Sequence, residues 1–576
     1  MSLQPRPAWE VPDETRRVAH AAFPNGNLYV RIYDELGEVY TDSMFADLFP
    51  GHGQPAESPG RLALITVMQF SEGLSDRQAA DAVRGRIDWK YALGLELTDP
   101  GFHYSVLSEF RARLIAGSQE HNLLDVLLDV LKRKGLLKAR GRQRTDSTHV
   151  LAAIRMVNRL ELVGETMRRA LNELADLVPD WLKQVVPLEW FTRYGQRFDS
   201  LRLPKGQTER DHLIEQIGID GLALFTALHE SPFRAQLSNL PGVEVLRQVW
   251  VQQFWMDNAG GEADENSQGQ GRVHVRLRTD DNQPPGDKRI HSPYDPEARY
   301  SAKRSTEWVG YKAVITETCE DDAVHLITHV ETTSSVMQDI SVSDTVHAAL
   351  ARKDLLPSEH LMDAGFVSGV LLVEAKHKLG VEVCGPVKAD VKWQAGAGQG
   401  YALSDFVIDW EAKTATCPQG QRSSSWDEQR PRPNRPDQPG HIQVKFRKSV
   451  CEPCSAHALC TRSKRGLRTL TLRPQAEHVA LQRARTDQVT SEFRKRYAKR
   501  SGIEGTISQG VRAFDLRRTR YIGLAKTGLQ MIGVAAAINL HRLFDWVSEI
   551  PRAVTRVSSF AALSPDPALV PTTWRA

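Results

Sequence analysis

Three short stretches of the sequence hold acids in settings suited to phosphodiester chemistry. Asp146 lies in Arg-Thr-Asp-Ser-Thr-His-Val, where a basic, polar approach delivers an acid into a strand-like run and small hydroxyl side chains follow. Asp363 ends the short apolar run of His-Leu-Met-Asp-Ala-Gly-Phe, and Ala-Gly lets the backbone turn into the next element. Each aspartate by itself reads more simply as a turn or helix-cap residue. The third stretch, Tyr497-Ala-Lys-Arg-Ser-Gly-Ile-Glu504, is more specific. Its i, i+3, i+7 spacing predicts one helical face bearing Tyr497, Arg500 and Glu504. An exposed Arg–Glu ion pair has similar spacing. Yet this face also carries a tyrosine, and Gly502 sits inside the helix, where glycine costs about 1 kcal/mol against alanine. Close approach of another backbone or of DNA accounts for that glycine. Cutting or transferring a phosphodiester calls for two Mg²⁺ or Mn²⁺ ions about 4 Å apart, bound by carboxylate oxygens. Strand ends on one rim of a sheet, with a helix laid against that rim, can present such acids together.

A second constellation is Cys417, Cys451, Cys454 and Cys460, spaced C-x33-C-x2-C-x5-C. Its Cys-Glu-Pro-Cys portion is the size of a knuckle that wraps a metal. Four thiolates in a segment poor in apolar residues predict a structural Zn²⁺ in place of a core. His457 is an alternative ligand, and Cys417, across a long loop, is the weakest of the four. Arg422, Arg430, Arg432, Arg435, Lys445, Arg447 and Lys448 surround the group and suggest a DNA contact. Cys319 and Cys384 stand singly in apolar runs and read as buried thiols; six cysteines in 576 residues suggest no disulfide framework. His149, three positions after Asp146, is expected to be structural. The sequence holds no Gly-x-x-x-x-Gly-Lys loop and no Ser/His/Asp set with supporting flanks.

The elements that must position these groups follow from periodicity. Helices are expected at 61–70, 75–84 and 105–116, the second opened by a Ser75/Gln78 capping box, with an amphipathic helix at 120–134. Helix, turn, helix in a small basic unit fits helix-turn-helix DNA binding, and an ordinary three-helix bundle has the same pattern. A strand follows at 142–154, then helical periodicity over 156–255 and a polar loop at 257–271. Strands at 308–318, 324–332, 359–363 and 381–385, with helices at 339–352 and 367–379, predict a mixed α/β sheet, antiparallel first and parallel later. Helical runs resume at 476–511 and 526–548. The expected division is a helical N-terminal DNA-binding domain (1–135), the first part of the sheet core (136–155) and a mainly helical insertion with a disordered loop (156–300). The second part of the core (301–387), a Cys-rich insertion (388–475), the last helices (476–550) and a tail (551–576) complete it.

Charge is nearly balanced, with 74 Lys and Arg against 71 Asp and Glu, but it is not evenly spread. Basic residues cluster at 132–144, at 494–500, and in Arg512, Arg517, Arg518, Arg520 and Lys526. Such clusters release counterions from phosphates, so DNA is the expected partner, although solvated helix faces have the same composition. Arg142 and Arg144, Arg512 and Lys526 are the expected DNA contacts from these groups. No apolar run reaches the ~20 residues of a membrane span, and no charged-then-apolar leader is visible. The expectation is a cytoplasmic protein with no membrane partner.

Taken in order, these residues resemble those of DDE insertion-sequence transposases. Asp146, Asp363 and Glu504 match the acid triad, and Tyr497, Arg500 and Glu504 match the Tyr-(2)-Arg-(3)-Glu part of a signature in that class. Also similar are Trp308-Val-Gly-Tyr-Lys312, His325-Leu-Ile-Thr-His-Val, Gly502-Ile-Glu-Gly-Thr-Ile-Ser-Gln-Gly510, Arg520-Tyr-Ile-Gly-Leu-Ala-Lys526 and a closing helix with Asn539. The resemblance covers nearly the whole chain. It implies an RNase H-like core in a bacterial, nucleoid-associated enzyme, and a homodimer that pairs two transposon ends. Asp146 would bridge both metals, Asp363 and Glu504 would each complete one, and Tyr497 and Arg500 would hold the DNA backbone beside the cut. Water would free a 3′-hydroxyl, which would then attack target DNA. One position departs: the signature's lysine seven residues after the glutamate is Val511 here, leaving that contact to another cation such as Arg512 or Lys526. Two other readings keep the same residues. One is a transposase-derived DNA-binding protein without catalysis, against which the intact acids argue; the other is a metal-dependent nuclease that does not transfer strands.

Overall fold

The computed structural model describes residues 2–551 and 563, other than 7, 156, 199–202, 205, 258–273, 304, 391, 398, 399 and 431–439. Six strands make its central sheet: β1 (Arg142–Leu151), β2 (Arg299–Lys303), β3 (Thr306–Thr318), β4 (Ile327–Ser334), β5 (Glu359–Met362) and β6 (Glu382–Cys384). Their order is β2-β3-β1-β5-β6, and β4 follows β2 along the same edge of β3. β3 is antiparallel to β1, β2 and β4, whereas β1, β5 and β6 are parallel. The mixed sheet expected from the pattern is therefore present. β3 is buried from Trp308 to Thr318 apart from Lys312, as suits a Val/Ile/Thr-rich central strand covered on both faces. Where β3 passes the end of β1, Gly310 takes φ +155° and any Cβ there would meet the Val150 carbonyl.

Helices Pro59–Glu72, Asp76–Gly85, Ser105–Ala116 and Asn122–Arg133 occupy the expected N-terminal stretches. The Ser75 hydroxyl accepts from the Gln78 N–H, and the Gln78 side chain accepts from the Ser75 N–H at 2.9 Å, closing the capping box. The closing helix, Leu524–Val547, lies between these helices and the sheet. Phe45, Val67, Phe110, Leu127, Ile315 and Ile538 belong to one apolar core that runs through all three layers. Asn539 in that helix accepts from the Ile327 N–H and donates to the Ile327 carbonyl, both at 2.8 Å. A buried side-chain amide thereby satisfies the edge backbone of β4. The helices between 159 and 253 have a separate core that includes Met167, Trp190, Leu246 and Trp250.

Three local expectations change. The helix expected to reach 255 stops at Gln253, and Phe254–Asp257 pairs with His274–Leu277 instead, which seats Phe254 in the insertion's core. The single helical run over 476–511 is broken into Gln475–Asp487, Ser491–Ala498, a 3₁₀ turn at Lys499–Ser501, and Gly502–Ala513. Thr490 restarts the second helix by accepting from the Phe493 N–H. The Cys-rich segment also has an apolar core, contrary to the expectation of a metal in its place. Phe406, Val444, Phe446, Leu470 and Leu472 are buried beneath a short hairpin and a three-stranded sheet. Residues 258–271 of the polar loop, Arg432, Arg435, and the tail except Pro551 and Leu563 lie outside the described residues. Among the described residues no helix is long and apolar enough to cross a membrane.

Candidate active site

The parallel register of β1 and β5 runs from Arg142 opposite Glu359 to Thr145 opposite Met362. Asp146 and Asp363 are the next positions, so two acids leave neighbouring chains, about 4.8 Å apart, at one rim of the sheet. Asp146 Oδ1 accepts from the Ser147 N–H at 2.8 Å. Asp363 Oδ1 accepts from the Ala364 N–H at 2.6 Å, and the Phe366 N–H closes the turn on the Asp363 carbonyl. Glu504 arrives in the first turn of helix Gly502–Ala513. All three acids line one cleft of about 710 Å³, together with Lys303, Lys312, Asp339, Arg500 and Arg517. A second cleft, about 410 Å³, shares Asp146, Glu504 and Arg517 and extends to Val511 and Arg512.

Arg144 fixes the helix that carries Glu504. Its buried guanidinium donates to Glu317 at 2.7 Å and to the Lys499 carbonyl at 2.7 Å, and it fills the space a Cβ at Gly502 would need. The close approach that requires Gly502 is thus made by a side chain of β1, not by another backbone or by DNA. Glu317 is fully buried and also receives Arg542 at 2.7 Å and the Thr506 hydroxyl at 2.6 Å. Burial alone would raise its carboxyl pKa, but Arg542 and Arg144 outweigh burial and hold it below the usual range.

The basic stretch 132–144, expected to face phosphates, is largely paired with acids of the same chain. Lys132 pairs with Asp354, Lys138 with Asp322, Arg142 with Glu359 and Arg144 with Glu317. The cause is the acids at 317, 322, 354 and 359, which the fold brings alongside β1 and the segment leading into it. Arg496 likewise binds Glu359 and Glu382, and Lys499 binds Asp321. In the third cluster, Arg512 and Lys526 are exposed and have no acid partner among the described residues. Arg512 and Arg517 line the second cleft beside Val511, whereas Lys526 lines neither cleft. Arg517 donates to the Thr148 hydroxyl at 2.9 Å.

Arg500 lies among the acids. It bonds Asp146 through Nη2 and Glu504 through Nη1, the latter at 3.1 Å. Its side chain is only 13% exposed, and its Nε is buried without a hydrogen-bond partner among the described residues. Burial raises the Asp146 carboxyl pKa; Arg500 and the Ser147 N–H act against that rise. Tyr497 is half-buried and stacks on Phe493 with ring centroids 5.6 Å apart. Its phenol is pushed up to about 12 by burial, with Arg500 opposing and Asp363 and Asp146 adding to the rise. The three side chains still converge because the 3₁₀ turn keeps the helical sense between the two helices.

Asp339 and Lys303 were not singled out by the sequence, and Lys312 entered only as the end of the Trp308–Lys312 resemblance. Asp339 receives Lys312 at 2.9 Å and the Ser147 hydroxyl at 3.1 Å. Its position at the start of a 3₁₀ turn before helix Ser343–Arg352 suits any helix-leading acid, so no sequence signal marked it. His149, burial-lowered in pKa, packs on Trp308 at 5.4 Å.

The carboxylate donors fit a hard divalent cation such as Mg²⁺ or Mn²⁺, and a guanidinium already supplies positive charge between two of them. As the side chains stand, no group of three His, Cys, Asp or Glu among the described residues is arranged to hold a metal. Cys417, Cys451, Cys454, Cys460 and His457 line a separate small cavity, and His457 Nε2 is buried there without a partner among the described residues. Burial, opposed by Arg468, and then Cys451, Cys417 and Cys454 raise the Cys460 thiol pKa.

Two segments of the chain match known families. Residues 416–544 match the family described as Transposase DDE domain, and residues 17–113 match Transposase domain (DUF772). The first match includes Glu504 but neither aspartate. No curated protein and no solved structure matches significantly. The two family matches, with the mixed α/β sheet, support an insertion-sequence transposase.

Proposed function

We propose that this protein is a DDE transposase that cleaves transposon ends and joins their 3′-hydroxyls to target DNA. The observation that carries the reading is the convergence of Asp146, Asp363 and Glu504 on one cleft, from two adjacent parallel strands and a helix. The strand order, four antiparallel strands (β1 to β4) continued by two that run parallel to β1, supports an RNase H-like core. Two Mg²⁺ or Mn²⁺ ions held by these acids would activate the attacking oxygen and stabilise the leaving one. Asp146, which shares the sheet rim with Asp363 and both clefts with Glu504, would serve both ions. Arg500 and Tyr497 contact the DNA backbone beside the cut, and Arg512 and Arg517, lining the adjoining cleft, serve where Val511 lacks a charge. The N-terminal helices bind the transposon ends, a role supported by the transposase-domain match over 17–113. Two copies pair two ends.

Incubating the protein with a donor carrying candidate terminal repeats, a target plasmid and Mn²⁺ tests this reading. Joined products are expected; normal joining by Asp363→Asn protein would overturn the triad, and cleavage without joining would leave a nuclease.

A structural Zn²⁺ bound by Cys417, Cys451, Cys454 and Cys460, with His457 able to replace one thiolate, belongs to the same proposal. It is supported by the shared cavity and by the partnerless His457 nitrogen within it.

A further inference from the structure

Among the described residues, Arg500 is the one cation that bridges two of the three acids. Its Nη2 and Nη1 reach Asp146 and Glu504 respectively, so its fork points into the space that these carboxylates would share around an ion. Asp146 is 12% exposed and both its oxygens already have donors, Ser147 N–H on Oδ1 and Arg500 on Oδ2. A carboxylate this buried needs a counter-charge whether or not a metal is present. Arg500 itself is incompletely satisfied, because its Nε is buried with no partner. It is bound well enough to neutralise the acids, yet one of its donors is unused. A phosphate is the ligand that can use more of a guanidinium, through paired charge-assisted hydrogen bonds.

We infer that Arg500 is a stand-in cation: in the DNA-free protein it fills the position between Asp146 and Glu504, and a DNA phosphate draws it away and opens that position to a divalent ion. Metal uptake and DNA binding therefore reinforce one another, reciprocally, as any linkage between two ligands must. The inference rests on the reading of the three acids as metal ligands. The other cations of the cleft differ in kind. Arg517 lines the same wall but bonds the Thr148 hydroxyl, and no ion pair joins it to the acids among the described residues.

Direct measurement of Mn²⁺ binding to the full chain, by calorimetry and by the paramagnetic resonance of free Mn²⁺, separates the possibilities. Wild-type protein is expected to bind Mn²⁺ weakly alone and about tenfold or more tightly with a short duplex carrying a candidate terminal repeat. Arg500→Ala and Arg500→Gln proteins should bind Mn²⁺ about tenfold more tightly without DNA, and the duplex should add little. Arg517→Ala removes the same charge from the same cleft but breaks no ion pair with the acids, so its gain in DNA-free Mn²⁺ affinity should stay well below that of Arg500→Ala. Asp146→Asn combined with Arg500→Ala should lose the gain, which locates the ion. Melting curves establish that each variant is folded. If Arg500→Ala binds no more tightly than wild type, or Arg517→Ala gains as much, the stand-in role is overturned while the metal site survives. If neither wild type with DNA nor Arg500→Ala binds Mn²⁺ at all, the metal reading fails and the inference with it.

Discussion

The guanidinium of Arg144 occupies the space that any side chain at Gly502 would need. Arg144 stands two residues before Asp146 on β1, and Gly502 stands two residues before Glu504 on its helix. One packing contact therefore sets how far apart two of the acids lie. Gly502→Ala should lower stability by about 1–3 kcal/mol through overpacking and should impair cleavage beyond that loss, because the Arg144 guanidinium that ties β1 to this helix must move. Gly505→Ala is the matched control, since nothing lies within 4 Å of its Cβ position. Calorimetric melting of the two variants should move in opposite directions, or leave Gly505→Ala unchanged.

Removing the charge at Glu317 leaves Arg144 and Arg542 facing each other in the interior. Glu317→Gln should cost about 3–5 kcal/mol, the usual penalty for breaking a buried ion pair. Urea denaturation checks it. A loss under about 1 kcal/mol would mean that water replaces the carboxylate.

Asp146→Asn, Asp363→Asn and Glu504→Gln should each lower cleavage and joining by about 10³-fold or more, with folding retained. Gel assays with Mn²⁺ read the loss, and circular dichroism reads the fold. Wild-type turnover by any one of them would remove that residue from the proposed set.

A buried histidine pair should make stability depend on pH. His347 Nε2 lies 2.9 Å from His360 Nδ1, and His360 Nε2 lies 2.7 Å from the Thr145 hydroxyl, one residue from Asp146. Burial lowers both pKa values, His360 well below its ordinary value and further through His347. A histidine whose folded pKa is depressed binds its proton only in the unfolded chain. Its contribution is intact above the unfolded pKa, near 6.5, and is lost as pH falls below it. The loss should approach about 1.4 kcal/mol per pH unit for one such group. Denaturation at pH 7.5 and 5.5 should show a smaller drop for His360→Gln than for wild type.

Metal analysis of the intact protein should find about one zinc per chain, bound in the Cys-rich segment. Cys454→Ser should lose that zinc and melt at lower temperature. A fully folded, zinc-free wild-type protein would show that the small apolar core around Phe446 and Leu470 suffices by itself.

Much of the frame was legible because it depends on local pattern. The β-branched runs around Asp146 and Ile315 read directly as strands, and Ser75 with Gln78 announced a helix start. The spacing of Tyr497, Arg500 and Glu504 likewise pointed to one face. What escaped depends on pairing between distant segments. Arg142 and Arg144 look like a phosphate-binding run until Glu359 and Glu317 are brought beside them. Gly502 shows that something must come close, but only the fold identifies it as Arg144. Asp339 looks like an ordinary helix-leading acid, and its bonds to Lys312 and Ser147 exist only after the sheet has formed.

The Arg500–Asp146 contact joins residues 354 positions apart, and Asn539 completes the edge of β4 later still. At about 5–20 residues per second, a ribosome that has just made Asp146 needs roughly 20–70 s more to reach Arg500. For that interval the acid cleft does not exist on the nascent chain. The N-terminal helices cannot be fully buried either, because the closing helix that covers them is among the last elements made. A chain cut short before that helix therefore leaves the N-terminal core uncovered and the edge of β4 unsatisfied, and yields an incomplete fold rather than a smaller complete one.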